Sequence, residues 1–401
     1  LPESMAREQG APKLWTGTDG QVYGRSGKTN FLCRPDGIVE GTYRAPRQDP
    51  QARRAGDFTV GNVDARGRLR LVEAATQATS FVQTDYPGRA PAVFSIGCER
   101  DRKIYGGTVF PGITWRYDLD KAAFEELSDV TPKVIQIYDT FSHPKGLFFA
   151  SYMGCKLDFF DPTSSRRAGT NPRRFKRSIP GHERPVQWEA GPDGKLYFGT
   201  TPAKGRLGGA LVQVDPESFE TQIWDKIMPD QSIAYLCAVP NSTELFGCAS
   251  VGGGSSAIPS LEEAEVFLWD TELRKVVWRG QPVPGTRRYG RAVRGKDGLI
   301  VGLAGGSWYL FDPGKRETLY TGPLPVKRLH FPELSDCLLG PAGQVVGLGD
   351  DTAFAIDPAA RTVTVIARHP SLKKAHGFLV SEDGMLYYGS GSSVWRCSLQ
   401  Q

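Results

Sequence analysis

Paired cysteines, long apolar runs and helical periodicity are what this 401-residue chain lacks. Its seven cysteines, Cys33, Cys98, Cys155, Cys237, Cys248, Cys337 and Cys397, stand singly. With no CxxC pair, zinc-ribbon and dithiol redox readings lose their ligands. The odd count argues against a full disulfide framework. Cys237 and Cys248 lie in apolar, strand-like runs and are expected as buried free thiols. No apolar stretch approaches the roughly 18 residues that a membrane-spanning helix needs. The first residues, LPESMAREQG, have no apolar core of the signal-peptide type. Without a sustained 3.6-residue period, helix is expected to be scarce. Catalytic signatures are missing too: VGGGSS lacks the Gly-Lys-Ser/Thr ending of a phosphate-binding loop, and neither HExxH nor GxSxG on a strand-turn-helix occurs. The net charge of +5 is too mild to imply nucleic acid or a membrane as partner.

What the chain does have is turns and short strands. Its 47 glycines and 29 prolines punctuate a composition that is otherwise that of an ordinary globular protein. One pattern recurs: TDGQVYGR, RDRKIYGGT, HPKGLFFAS, PDGKLYFGT, STELFGCAS, KDGLIVGLA, PAGQVVGLG and EDGMLYYGS. Anchored on Tyr23, Tyr105, Phe148, Tyr197, Phe246, Val301, Val346 and Tyr387, the last six steps are 43, 49, 49, 55, 45 and 41 residues. A second anchor is a strand ending in aspartate, at Asp118, Asp161, Asp215, Asp270, Asp312 and Asp357.

A period of this length built from short strands is the signature of a β-propeller. One four-stranded sheet cannot cover both of its faces alone, and stacking around an axis covers them. The fold expected is therefore all-β, one propeller over residues 1–401 with four-stranded antiparallel blades. Eight anchors predict eight blades, with seven as the alternative. The first step, 82 residues, holds an inserted hairpin or degenerate blade at about 52–86. The last unit has room for three strands, so an N-terminal strand is expected to complete it.

In a propeller the first strand of each blade is innermost. The segments leading into it and the loops between second and third strands share one face, the mouth of the central channel. Six of the seven lead-in segments carry a cation: Arg89, Lys133, Arg184, Arg287 with Arg288, Lys327 with Arg328, and Lys373 with Lys374. His182, His330 and His376 fall there as well, as does Tyr289. Two mouth loops are long, TTPAKGRLGG with Arg206 and SVGGGSSAIPSLEEAE, and Tyr152 lies just past a second strand. A ring of cations around a low-dielectric funnel attracts and orients a polyanion.

The repeats, DGKLYFGT followed by VQVDP above all, resemble the β-propeller superfamily along essentially the whole chain. The layout is similar to secreted propellers that act on polysaccharides, such as rhamnose–glucuronate and ulvan lyases. That resemblance implies β-elimination on a uronate-containing, rhamnose-linked glycan by an extracellular or periplasmic monomer. Such chemistry needs a carboxylate clamp, a base and an acid. The expected substrate-binding residues are Arg184, Arg288, Arg89, Lys133, Arg328, Lys374, His376 and Arg206. Those expected to be catalytic are His182, His330, Tyr289 and Tyr152. The partner is an acidic polysaccharide or oligosaccharide. No motif demands a cofactor, although His182, His330 and His376 could together hold a divalent cation. Two alternatives stay open: a non-catalytic propeller that binds glycan or protein, and a glycoside hydrolase. The latter wants two carboxylates flanking the scissile bond, and the mouth offers only Glu183, Asp230, Glu262 and Glu263.

Overall fold

A computed structural model describes residues 13–26, 29–34, 36–41, 54–63, 68–83, 91–167, 169–175, 179–329 and 337–399. The chain forms two compact units, Leu1–Ala90 and Pro91–Gln401, where the sequence reading had one domain. Among the described residues the one helical element is the 3-10 turn Pro370–Lys374, and none is long and apolar enough to cross a membrane.

Leu1–Ala90 holds two four-stranded antiparallel sheets. The first runs Lys13–Thr16, Val22–Ser26, Thr29–Arg34 and Gly37–Gly41. The Tyr23 anchor sits here, opposite Trp15 on the neighbouring strand. The second, Arg54–Ala55, Phe58–Val63, Arg68–Glu73 and Thr79–Gln83, occupies the segment read as an inserted hairpin or degenerate blade.

Pro91–Gln401 is a β-propeller. Its inner strands are Ala92–Arg100, Val134–His143, His182–Ala190, Ser232–Ala238, Tyr289–Arg294, Cys337–Leu339 and Ala375–Val380, which begin blades one to seven. Blades one and two are joined into one sheet, the end of blade one's second strand pairing with blade two's inner strand, Val109 with Gln136. The other seven anchors, Tyr105 to Tyr387, each fall on the second strand of a blade. Of the two counts the sequence allows, seven describes this unit.

The ring closes through its core. Tyr105, Ile137 and Phe149 fill the gap between blades one and two, and Phe148, Trp188 and Phe198 that between two and three. Equivalent clusters follow around the ring, until Val93, Ile104 and Trp115 of blade one meet Tyr387 of blade seven. The backbone N–H of Val93 donates to the Gly391 carbonyl at 2.8 Å across this last joint. Blade seven has three strands among the described residues, and Lys13–Thr16, the first strand described, pairs with Val22–Ser26.

Local chemistry explains both anchors. The aspartates that end third strands accept backbone N–H groups two and three residues on: Asp215 from Glu217 and Ser218, Asp270 from Glu272 and Leu273, Asp312 from Gly314 and Lys315. These turns fold on their own side chains, which is why aspartate recurs there. In the second strands, glycine recurs because a ring from the third strand lies over it. A Cβ on Gly247 would stand 2.1 Å from Phe267, and one on Gly302 2.1 Å from Tyr309.

Candidate functional site at the propeller mouth

His182 and Arg184 begin the inner strand of blade three and part company there. His182 is buried. Its Nδ1 lies 2.8 Å from Thr200 Oγ1, and its Nε2 lies 3.2 Å from Asp225 Oδ1. Burial lowers its pKa, and the Asp225 carboxylate opposes that shift. With both ring nitrogens engaged, His182 ties the first strand of its blade to the second and fourth. The expectation of a channel-facing base is corrected accordingly: no ring nitrogen is left to meet a substrate proton. A histidine, a threonine and a strand-end aspartate within one blade were the signal for this role.

Arg184 does face the mouth. Its Nη2 donates to Ser255 Oγ at 2.9 Å, reaching the longer loop of blade four. Its guanidinium carbon stands 5.3 Å from the Tyr152 ring centre. Tyr152, half-buried at the end of the second strand of blade two, is tilted against Tyr138 at 6.3 Å. Tyr138 meets Phe94 of blade one edge-on at 5.1 Å, and Phe94 stacks on His376 of blade seven at 6.1 Å. A row of rings thus runs across blades seven, one and two and ends on Arg184. Half-buried His376 has its pKa lowered by desolvation.

The two long loops hold each other. Gly205 N donates to the Ser255 carbonyl at 2.9 Å, and Gly254 N to the Arg206 carbonyl at 2.9 Å. A Cβ on Gly254 would stand 2.0 Å from the Ala203 carbonyl, so the loops meet backbone to backbone. Beneath them lies a cavity of about 190 Å³. Val186, Thr201, Ser232, Ile233, Ser250 and Arg288 line it. Nη2 of Arg288 is buried with no hydrogen-bond partner among the described residues. Its guanidinium carbon lies 5.9 Å from the Tyr235 ring centre.

Tyr289, the neighbour of Arg288, belongs to the core. It is fully buried, its hydroxyl donates to the Val283 carbonyl at 3.0 Å, and burial pushes its pKa up to about 12. The expected acid at this position is corrected: the phenol faces the interface of blades four and five, away from solvent. Lys133, Arg206, Arg328 and Lys374 are exposed. Arg89 and His330 lie outside the described residues. Among the described residues no group of three or more histidine, cysteine or acidic side chains is placed to hold a metal. Cys237 and Cys248 are buried free thiols.

Sequence reading missed the acids of the inner strands. Asp139 Oδ2 accepts the Trp188 N–H at 2.9 Å, and Glu189 Oε1 accepts the Ala238 N–H at 2.9 Å. Each carboxylate bonds to the inner strand of the following blade. Burial raises the pKa of both, Asp139 to about 7, with Arg291 acting in the opposite sense. Their even spacing, one per blade and 50 residues apart, was the available signal. At the far end of these strands a wider cavity of about 690 Å³ is lined by Glu189, Pro240, Asn241 and Arg294.

No protein-family model matches the chain, and no curated protein matches it in sequence. Solved structures match its fold. A streptogramin B lyase is similar at 12% identity and TM-score 0.59, over 77% of this chain and 93% of that one. The virginiamycin B lyase of Staphylococcus aureus is similar at 11% identity and TM-score 0.58, over 75% and 92%. The WD40 propeller of Doa1 is similar at 14% identity and TM-score 0.55, over 77% and 93%. At such identities the likeness is one of fold alone.

Proposed function

We propose that the propeller mouth binds a carboxylate-bearing ligand, seated on Arg288 and flanked by Arg184 and the two long loops. The observation that carries this reading is the buried Arg288 nitrogen without a partner at the wall of a cavity. A guanidinium donor withdrawn from water and left unbonded is costly, and a bidentate carboxylate supplies the missing bonds. A uronate-containing glycan, the class the lead-in cations suggest, would add a sugar face to the Tyr152 ring. Calorimetric titration with an acidic oligosaccharide tests it, alongside a neutral glucan and Arg288→Ala. Binding that needs both the acid and Arg288 is expected. Equal affinity for the neutral glucan refutes the reading.

The Arg184–Tyr152 pair favours a second reading, β-elimination. In that reading Arg184 neutralises the substrate carboxylate, and the Tyr152 phenol takes the proton from the carbon beside that carboxylate or gives one to the leaving glycosidic oxygen as the carbon–oxygen bond breaks and the double bond forms. Two of the similar propellers are lyases by name, so elimination is a chemistry this architecture carries. The appearance of an ultraviolet-absorbing unsaturated uronate after mixing with a panel of acidic polysaccharides distinguishes elimination from binding alone. No absorbance change across the panel sinks this second reading and leaves the first standing.

A further inference from the structure

We infer that the ligand of this mouth is amphiphilic: a single anionic group on Arg288, carried by an apolar body that the rim loops cover. This rests on the reading of Arg288 as an anion site and narrows what the anion is attached to. A chain of bare uronates would leave the apolar surface described here unmatched.

The cavity walls are the first observation. Beside Arg288, Ser232, Ser250 and Thr201, the lining is Val186, Ile233, Ala234 and the backbone of Gly252 and Gly253. One cation thus sits among three hydroxyl groups, three aliphatic side chains and two glycines, the kind of small-molecule site in which a few polar groups fix orientation and apolar contacts add affinity.

The rim is the second observation, independent of the first. Four large apolar side chains stand in solvent where second strands lead into third strands: Phe110, near the end of the second strand of blade one, at 74% exposure, and on loops Met153 at 43%, Ile258 at 86% and Leu261 at 37%. They belong to blades one, two and four. The matching turns of blades five, six and seven present Gly305 and Gly306, Asp350 and Asp351, and Gly391. Among the described residues, the propeller's other exposed large apolar side chains, Phe124, Leu273, Leu339 and Trp395, lie on outer strands or at the opposite face. Among the described residues the exposed large apolar side chains of the mouth face therefore belong to blades one, two and four, which also carry Tyr152 and the longer loop over the cavity. Clustered exposed apolar groups of this kind mark binding surfaces. The loop carrying Ile258 and Leu261 also supplies Gly252 and Gly253 to the cavity wall. That wall is packed against the neighbouring mouth loop: a Cβ on Gly253 would stand 2.4 Å from the Arg206 carbonyl.

A carboxylate series tests the inference. The full chain is titrated with acetate, butyrate, hexanoate, octanoate and glucuronate, with binding followed by NMR. Affinity is expected to rise by about fourfold for each methylene that the surface covers. Octanoate should then bind well above glucuronate. Arg288→Ala should weaken all of them by a similar factor. Ile258→Ser combined with Leu261→Ser, both exposed and tolerant of change, should weaken octanoate about tenfold and leave acetate unchanged. A flat series, with glucuronate as strong as octanoate and still dependent on Arg288, overturns the amphiphilic ligand while the anion site stands. Octanoate affinity unaffected by the two rim substitutions overturns it too. If no carboxylate binds, the anion site itself falls.

Discussion

The backbone N–H of Trp188 donates to Asp139 Oδ2 across 2.9 Å, from one inner strand to the next. The same device joins Ala238 to Glu189 at 2.9 Å and, across the closing joint, Glu382 to Glu99 at 3.0 Å. Side-chain carboxylates of the channel wall thus satisfy backbone donors of a neighbouring blade. Bonds of this kind set the angular position of one blade on the next more closely than apolar packing does, because they have direction.

Asp139 should make stability depend on pH in a definite sense. Burial pushes its pKa up to about 7, above the ordinary carboxylate value. The folded state therefore holds this proton more tightly than the unfolded chain. The contribution is fully present below the unfolded pKa and is lost as pH rises through the folded one. Urea midpoints compared for the natural protein and Asp139→Asn should diverge between about pH 4 and about pH 8, the natural protein losing ground as pH rises. Parallel profiles would show that Asp139 does not titrate in that range.

His182→Ala is expected to cost stability, on the order of 1–3 kcal/mol for leaving Thr200 and Asp225 without their partner. Asp225→Ala should cost less when His182 is already gone, which a double-mutant cycle reads directly. Burial lowers the histidine pKa. Its contribution is accordingly held above the ordinary value near 6.5 and lost as pH falls through the lowered one. A His182→Ala protein that is as stable as the natural one, yet fails to bind ligand, would return His182 to the site.

Tyr289→Phe removes a hydroxyl that bonds to the Val283 carbonyl inside the core. A loss of about 1 kcal/mol is expected, with ligand affinity unchanged. An altered affinity in a fully folded variant would contradict the core assignment.

Tyr152→Phe separates the two functional readings. The ring under Arg184 is kept, so binding should persist. Any elimination activity should drop by about 10²-fold or more, the scale of a lost general acid or base. Elimination at the natural rate in Tyr152→Phe would remove this phenol from the chemistry.

Carboxylate binding at Arg288 should weaken with salt less steeply than at the exposed Lys133, Arg328 and Lys374. Screening shortens from about 30 Å at 0.01 M to about 3 Å at 1 M, and acts weakly on buried pairs. Titrations with butyrate at both salt levels check this, and a loss as steep as that expected for a fully exposed pair would place the anion on the rim instead.

The sequence by itself determined the architecture, because a propeller is written in local terms. Turn aspartates such as Asp215 and second-strand glycines such as Gly247 answer to neighbours on the same hairpin, so their spacing repeats with the blade. The two long loops between second and third strands were legible for the same reason. Tertiary structure alone decided what each candidate side chain meets. His182 and Arg184 are two residues apart, yet one is spent on Asp225 of the outer strand and the other reaches Ser255 of the next blade. Tyr289 and Arg288 are adjacent, yet one is core and the other lines a cavity. Bulges in the inner strands displace the alternation of side chains, as between His182 and Arg184 and between Tyr289 and Ala292. Which face a residue takes there depends on the blade beside it, and partners some 50 residues away leave no mark on the local pattern.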